Sequence, residues 1–113
     1  MIETNAGVPL KGSVLRRYMS SLVNSFFKIL PLWEEGDPSL VTYMKTFQAE
    51  LLGCQELIVS VHEDPMFVSL VATLQYLIDN QGLTKQTVKR TVFNAISTCN
   101  NLAAKYAEQD SVQ

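Results

Sequence analysis

The stretch DPSLVTYMKTFQAELLGCQELIVSV, residues 37–61, has the clearest helical periodicity in the chain. Its apolar residues recur at alternating spacings of four and three, the pattern of a helix that buries one face. Asp37 can cap the start by accepting a backbone N–H, and Pro38 suits the first helical position. We therefore predict a helix over residues 38–62. Its buried stripe is Leu40, Met44, Phe47, Leu51, Cys54, Ile58 and Val61.

A second long stripe precedes this helix and predicts another helix over residues 13–34. Pro31 lies inside it and has no N–H to donate, so this helix either ends near Leu30 or kinks there. The stripe consists of Leu15, Met19, Leu22, Phe26, Ile29 and Trp33.

Two more helices are predicted after the central stretch, over residues 65–80 and 84–107. Asp64 precedes Pro65 and can cap the third helix, and Thr84 can cap the fourth. Gly82, between them, is able to adopt the left-handed conformation that often follows a helix end.

Four helices with short connections favour a compact antiparallel four-helix bundle, so the predicted fold is all-α with a single domain. A chain of 113 residues is long enough to bury one core. The bundle domain covers residues 13–107. We expect a flexible N-terminal arm at residues 1–12 and a frayed C-terminal tail at residues 108–113.

Two details of the predicted core carry further expectations. Gly53 lies inside a helix, where glycine is unfavourable, so we expect a neighbouring helix, from this chain or from another molecule, to approach closely there. Cys54 and Cys99 both fall on apolar stripes and are expected to be buried free thiols.

The charge and hydropathy of the chain disfavour some classes of function. The net charge is −2 and the isoelectric point is about 5.3, which disfavours a general phosphate-binding role. The first residues lack the pattern of a signal peptide, and no apolar run approaches the length of a membrane span. We expect a cytoplasmic protein.

His62 is the single histidine and the obvious candidate for a general base. It stands in a polar turn with Glu63 and Asp64, without a nucleophile nearby in the sequence. One histidine also cannot supply the pair of Glu-x-x-His motifs that a bundle metal site uses. We therefore expect a protein that is not an enzyme, without a catalytic residue, cofactor, metal ion or small-molecule substrate.

The leading hypothesis is a helical protein–protein interaction module, either self-associating or an accessory subunit of a larger assembly. The first and third helices carry more apolar residues than a bundle core needs. Exposed apolar patches with aromatic and methionine side chains are typical of protein interfaces. The candidate interface residues are Val23, Phe27, Leu32, Trp33, Met66, Val68 and Tyr76.

The alternative hypothesis is a DNA-binding regulator that uses the start of the last helix, as in a helix-turn-helix. Its candidate contacts are Lys85, Gln86, Lys89 and Arg90, and three other cations, Arg16, Arg17 and Lys28, could lie nearby. The acidic total charge and the length of this helix weigh against DNA binding.

Overall fold

The computed structural model describes residues 2–3 and 9–111, including the side chains of residues 11–107. The described chain folds into six helical segments and two short strands. The all-α class is confirmed, but the predicted helices do not correspond one to one with the segments. The helices are α1 (Gly12–Phe27), α2 (Ile29–Glu34), α3 (Leu40–Leu57), α4 (Val59–His62), α5 (Pro65–Asp79) and α6 (Lys85–Ser111).

The two strands are β1 (Ile2–Glu3) and β2 (Pro9–Leu10), which pair antiparallel. The predicted arm at residues 1–12 includes residues 1 and 4–8, which lie outside the described residues. The predicted tail extends to residues 112–113, which also lie outside them. Helix α6 continues to Ser111, four residues beyond the predicted end.

The first predicted helix kinks rather than ends, and it does so at Lys28, between α1 and α2. The Lys28 N–H still bonds the Asn24 carbonyl at 3.1 Å, and its backbone remains helical. Pro31 explains the position, because its ring clashes with the carbonyl of Phe27 and it cannot donate to that carbonyl. The break therefore precedes the proline.

The second predicted helix is interrupted at Ile58, whose backbone is extended with φ −113° and ψ 114°. Helix α4 then continues the chain for one turn. Ile58 and Val61 are both buried despite the break, so the apolar spacing is unchanged by it. The start also differs: Asp37 accepts the Ser39 N–H at 2.8 Å, and α3 begins at Leu40.

Asp64 and Thr84 cap their helices as the sequence predicts. The Asp64 carboxylate accepts the Met66 N–H at 2.9 Å, and the Thr84 hydroxyl accepts the Thr87 N–H at 3.2 Å. Among the described glycines, the one with positive φ is Gly36, at 62°, and not Gly82.

No element of the described chain approaches Gly53 closely. A Cβ built at this residue would meet no atom within 4 Å outside its own helix. Gly53 is exposed. Its unfavourable helix propensity is therefore not compensated by a packing contact.

The helices enclose one core. Helix α1 packs along α6, with Phe27 near the end of one helix against Phe93 near the start of the other. Helix α3 is joined to α1 by the Tyr43 hydroxyl, which donates to the Ser25 carbonyl at 2.8 Å. The largest fully buried side chains are Tyr106, Phe26, Phe67, Leu15, Met19, Leu22, Ile29, Met44, Leu51, Leu70, Leu74 and Leu102. None of the described helices is both long and apolar enough to cross a bilayer.

Candidate functional site

The seven candidate interface residues divide into two groups by burial. Phe27, Val68 and Tyr76 are exposed. The other four, Val23, Leu32, Trp33 and Met66, are partly buried and pack against the core. Only the first group offers apolar surface that a partner could cover without unpacking the core.

An apolar groove of about 320 Å³ lies between α1 and the C-terminal half of α3. Val14 and Leu57, two of its lining residues, are 46% and 52% exposed. The groove residues are Val14, Leu15, Tyr18, Glu50, Cys54, Leu57 and Ile58. The sequence interpretation missed Leu57 because it lies off the buried stripe, where an isolated leucine is not a signal.

The polar groups in this groove are poorly suited to catalysis at neutral pH. Burial raises the pKa of the Cys54 thiol to about 11, and the negative charge of Glu50 adds to that effect. Burial also raises the pKa of Tyr18 well above its usual value. The Tyr18 hydroxyl oxygen is inaccessible and lacks a well-oriented hydrogen bond, although the Cys54 thiol lies close by. Both groups stay protonated at neutral pH, so neither the thiol nor the phenol is activated as a nucleophile there.

A buried carboxylate joins the start of α5 to α6. Asp64 is 2% exposed and accepts hydrogen bonds from the Lys105 ammonium and the Tyr106 hydroxyl, both at 2.8 Å. Burial alone would raise the Asp64 pKa, but these bonds and the Met66 N–H outweigh it and lower the pKa. This cluster fastens the C-terminal part of α6 to the start of α5.

The four basic-helix candidates are all exposed on α6. The Lys85 ammonium forms a salt bridge with the Glu34 carboxylate at 3.2 Å. The start of α6 therefore adjoins the end of α2 and the acidic turn that follows it. Helix α1 is the neighbour of α6, and its cations Arg16 and Arg17 are exposed as well. The structure thus places basic residues from the two ends of the sequence on adjacent helices.

An exposed aromatic pair lies on the same two helices. The rings of Phe27 and Phe93 meet edge to face with centroids 5.7 Å apart. They remain 42% and 40% exposed. Phe93 was not among the predicted site residues, because its proximity to Phe27 depends on the pairing of α1 with α6.

His62 is exposed on the last turn before α5. Within the part of the chain whose side chains are described, no group of three or more histidine, cysteine or acidic residues is arranged to hold a metal ion. No protein-family model matches the chain, and no curated protein or solved structure is significantly similar to it.

Proposed function

We propose that this protein is a non-enzymatic helical interaction module, which either self-associates or serves as an accessory subunit of a larger assembly. The observation that carries the proposal is the apolar groove between α1 and α3, which the described side chains leave open. Its volume is within the range of sites that bury a ligand or an anchoring side chain.

The burial pattern around the groove supports a protein partner. Val14 and Leu57 expose about half of their surface while Leu15 and Ile58 beside them are buried. Burial of apolar surface contributes about 25 cal/mol per Å², so covering two such side chains would favour association. Glu50, the one charged residue in the groove lining, could set the orientation of the partner.

We further propose that the helices act as a four-helix bundle in which the first two are broken. In this view α1 with α2, and α3 with α4, each form one long member.

The test is sedimentation velocity over a range of protein concentrations, with Leu57→Asp as the variant. Leu52→Asp is the matched control, because Leu52 is 44% exposed on the same helix but does not line the groove. We expect the wild type and the control to associate and Leu57→Asp to stay monomeric with unchanged helix content.

A monomeric wild type would move the test to partner capture from the native host, again with Leu57→Asp as the comparison. Partners retained by the wild type and the control but lost from Leu57→Asp would support the accessory-subunit role. Equal retention by all three proteins, or no retained partner, would contradict the proposal.

The second candidate is the DNA-binding regulator that uses Lys85, Gln86, Lys89 and Arg90. The exposure of all four side chains on one helix favours it. The salt bridge of Lys85 with Glu34 argues against this candidate. It brings a carboxylate to the start of α6, the part of the helix that would enter the major groove of the DNA. Charge reversal at Lys89 and Arg90 should abolish duplex binding if this candidate is correct.

A further inference from the structure

The basic residues of this protein are concentrated on two adjacent helices. Eight of the nine lysines and arginines fall within residues 11–28 and 85–107, and these two ranges contain no aspartate or glutamate. The total charge of −2 hides this separation, because the acidic residues lie outside these two ranges, two of them (Glu108 and Asp110) in the last turns of α6. We call the outer surface of α1 and the first half of α6 the basic face. Its cations are Lys11, Arg16, Arg17, Lys28, Lys85, Lys89 and Arg90, all of them exposed. Lys105 lies about 160° around α6 from Lys89 and reaches Asp64 instead.

Most of these cations lack a counterion among the side chains of residues 11–107. Within that range Lys85 pairs with Glu34, and the other six cations of the basic face make no ion pair. Uncompensated cations on adjacent helices produce a positive local potential, which attracts anionic partners even when the net charge is negative.

The aromatic pair stands among these cations. Lys28 follows Phe27 directly, while Lys89 and Arg90 precede Phe93 by four and three residues and so lie on its side of α6. Toward the other end of α1, Arg17 lies ten residues before Phe27, about 15 Å away along the helix axis. The basic face therefore combines spaced cations with exposed aromatic rings.

We propose that the basic face binds single-stranded nucleic acid, with the cations on the phosphates and the Phe27–Phe93 pair against the bases. This activity is independent of the apolar groove and goes beyond the interaction role proposed above. Sequence-independent binding of single strands uses this combination of a basic surface and stacking aromatic rings.

The exposed aromatic pair favours a single strand over a duplex. The bases of a duplex are paired and stacked on one another, so their faces are not available to the rings of Phe27 and Phe93. An unpaired strand can present its bases to these rings while its phosphates contact the cations. The carboxylate of Glu34, the last residue of α2, pairs with Lys85 and so reduces the positive charge at the start of α6.

The test is fluorescence anisotropy of a labelled oligo-dT or oligo-rU strand of about 16 nucleotides, titrated with the full chain at several salt concentrations. We expect affinity to fall with salt. The double variant Lys89→Ala with Arg90→Ala should reduce the slope of log affinity against log salt by about 1.4. Lys45→Ala is the matched control, because Lys45 is an exposed lysine on α3 outside the basic face.

The aromatic contribution is tested with Phe93→Leu, which keeps an apolar side chain but removes the ring. We expect affinity to fall about 5- to 150-fold with an unchanged salt slope. Leu57→Asp should bind the strand like the wild type, so failure of the groove proposal would be distinguishable from failure of this one.

Three outcomes would overturn the proposal. The first is no binding at low salt. The second is a duplex that binds more tightly than either strand, which would favour the DNA-regulator role instead. The third is displacement of the labelled strand by poly-L-glutamate as effectively as by unlabelled strand at the same concentration of negative charges, together with no effect of Phe93→Leu. That result would assign the basic face to acidic proteins.

Discussion

Replacing Asp64 with alanine should destabilise the fold more than any other substitution of a charged residue in the described part of the chain. The Asp64 carboxylate caps α5 through the Met66 N–H and accepts the Tyr106 hydroxyl and the Lys105 ammonium. It is the buried charged residue among the described side chains. One substitution therefore removes a helix cap and leaves buried groups without their acceptor.

The expected loss follows from the three contacts. Removing the cap costs about 1 kcal/mol. The Tyr106 hydroxyl belongs to a fully buried residue, and an unsatisfied buried donor costs about 1–3 kcal/mol. The Lys105 side chain is 44% exposed and can return to water, so its pairing adds little. The sum is a loss of about 2–4 kcal/mol, or roughly 8–16 °C in Tm for a domain of this size.

The assay is urea unfolding followed by circular dichroism, with Glu63→Ala as the control. Glu63 is the exposed acidic neighbour of Asp64, and its replacement should change the unfolding free energy by less than about 0.5 kcal/mol. In the double variant Asp64→Ala with Tyr106→Phe, the unsatisfied hydroxyl is gone. The double variant should therefore lose less stability than the two single losses together.

The penalty should also depend on pH with a defined sign. The folded pKa of Asp64 is lowered from its ordinary value of 3.8, so the contribution is fully present above about pH 4. It is lost as the pH falls through the folded pKa, because the carboxyl must then bind a proton. A loss no larger than that of Glu63→Ala, or a penalty that persists undiminished in acid, would refute the reasoning.

Three further predictions concern packing and reactivity. Gly53→Ala should raise the unfolding free energy by about 0.5–1 kcal/mol, because the added Cβ meets no other atom, whereas Gly36→Ala should lower it by about 1 kcal/mol because φ is positive there. Urea unfolding of both variants should show changes of opposite sign. Changes of the same sign would contradict the backbone argument. Trp33→Ala should lower the unfolding free energy by about 2 kcal/mol without changing the sedimentation coefficient, because Trp33 packs on the core. A variant that no longer associates but keeps its unfolding free energy would instead assign Trp33 to an interface. Burial raises the pKa values of the Cys54 and Cys99 thiols to about 11 and about 12. A thiol-specific disulfide reagent at pH 8 should therefore react far more slowly with the folded protein than with the urea-unfolded protein. Equal reaction rates would show that the thiols are accessible.

Local sequence determined which residues are buried and where several helices begin. The stripes of α1 and α3 place Leu15 and Leu51 inside because a period near 3.6 puts them on one face. Asp64 and Thr84 cap their helices because their side chains reach backbone N–H groups within the next three residues. These features depend on contacts between near neighbours in the chain, which periodicity and capping rules describe directly.

The break at Ile58 could not be read from the same pattern. The buried stripe continues through Ile58 to Val61 whether or not the backbone stays helical between them. Gly53 shows the converse case, since an unfavourable residue suggested a close contact that the packing does not provide. Neither residue type nor spacing reports the backbone conformation at these positions.

Only the tertiary structure decided which surfaces exist. The groove depends on the separation of α1 from α3, and the basic face depends on α1 lying beside α6. Arg17 and Lys89 are far apart in sequence, and the net charge averages them with acidic residues that lie mostly on other elements. Helix periodicity determines which face of each helix is buried but not which helix packs against that face. The contact between Phe27 and Phe93 therefore depends on how the helices pack together in the folded core.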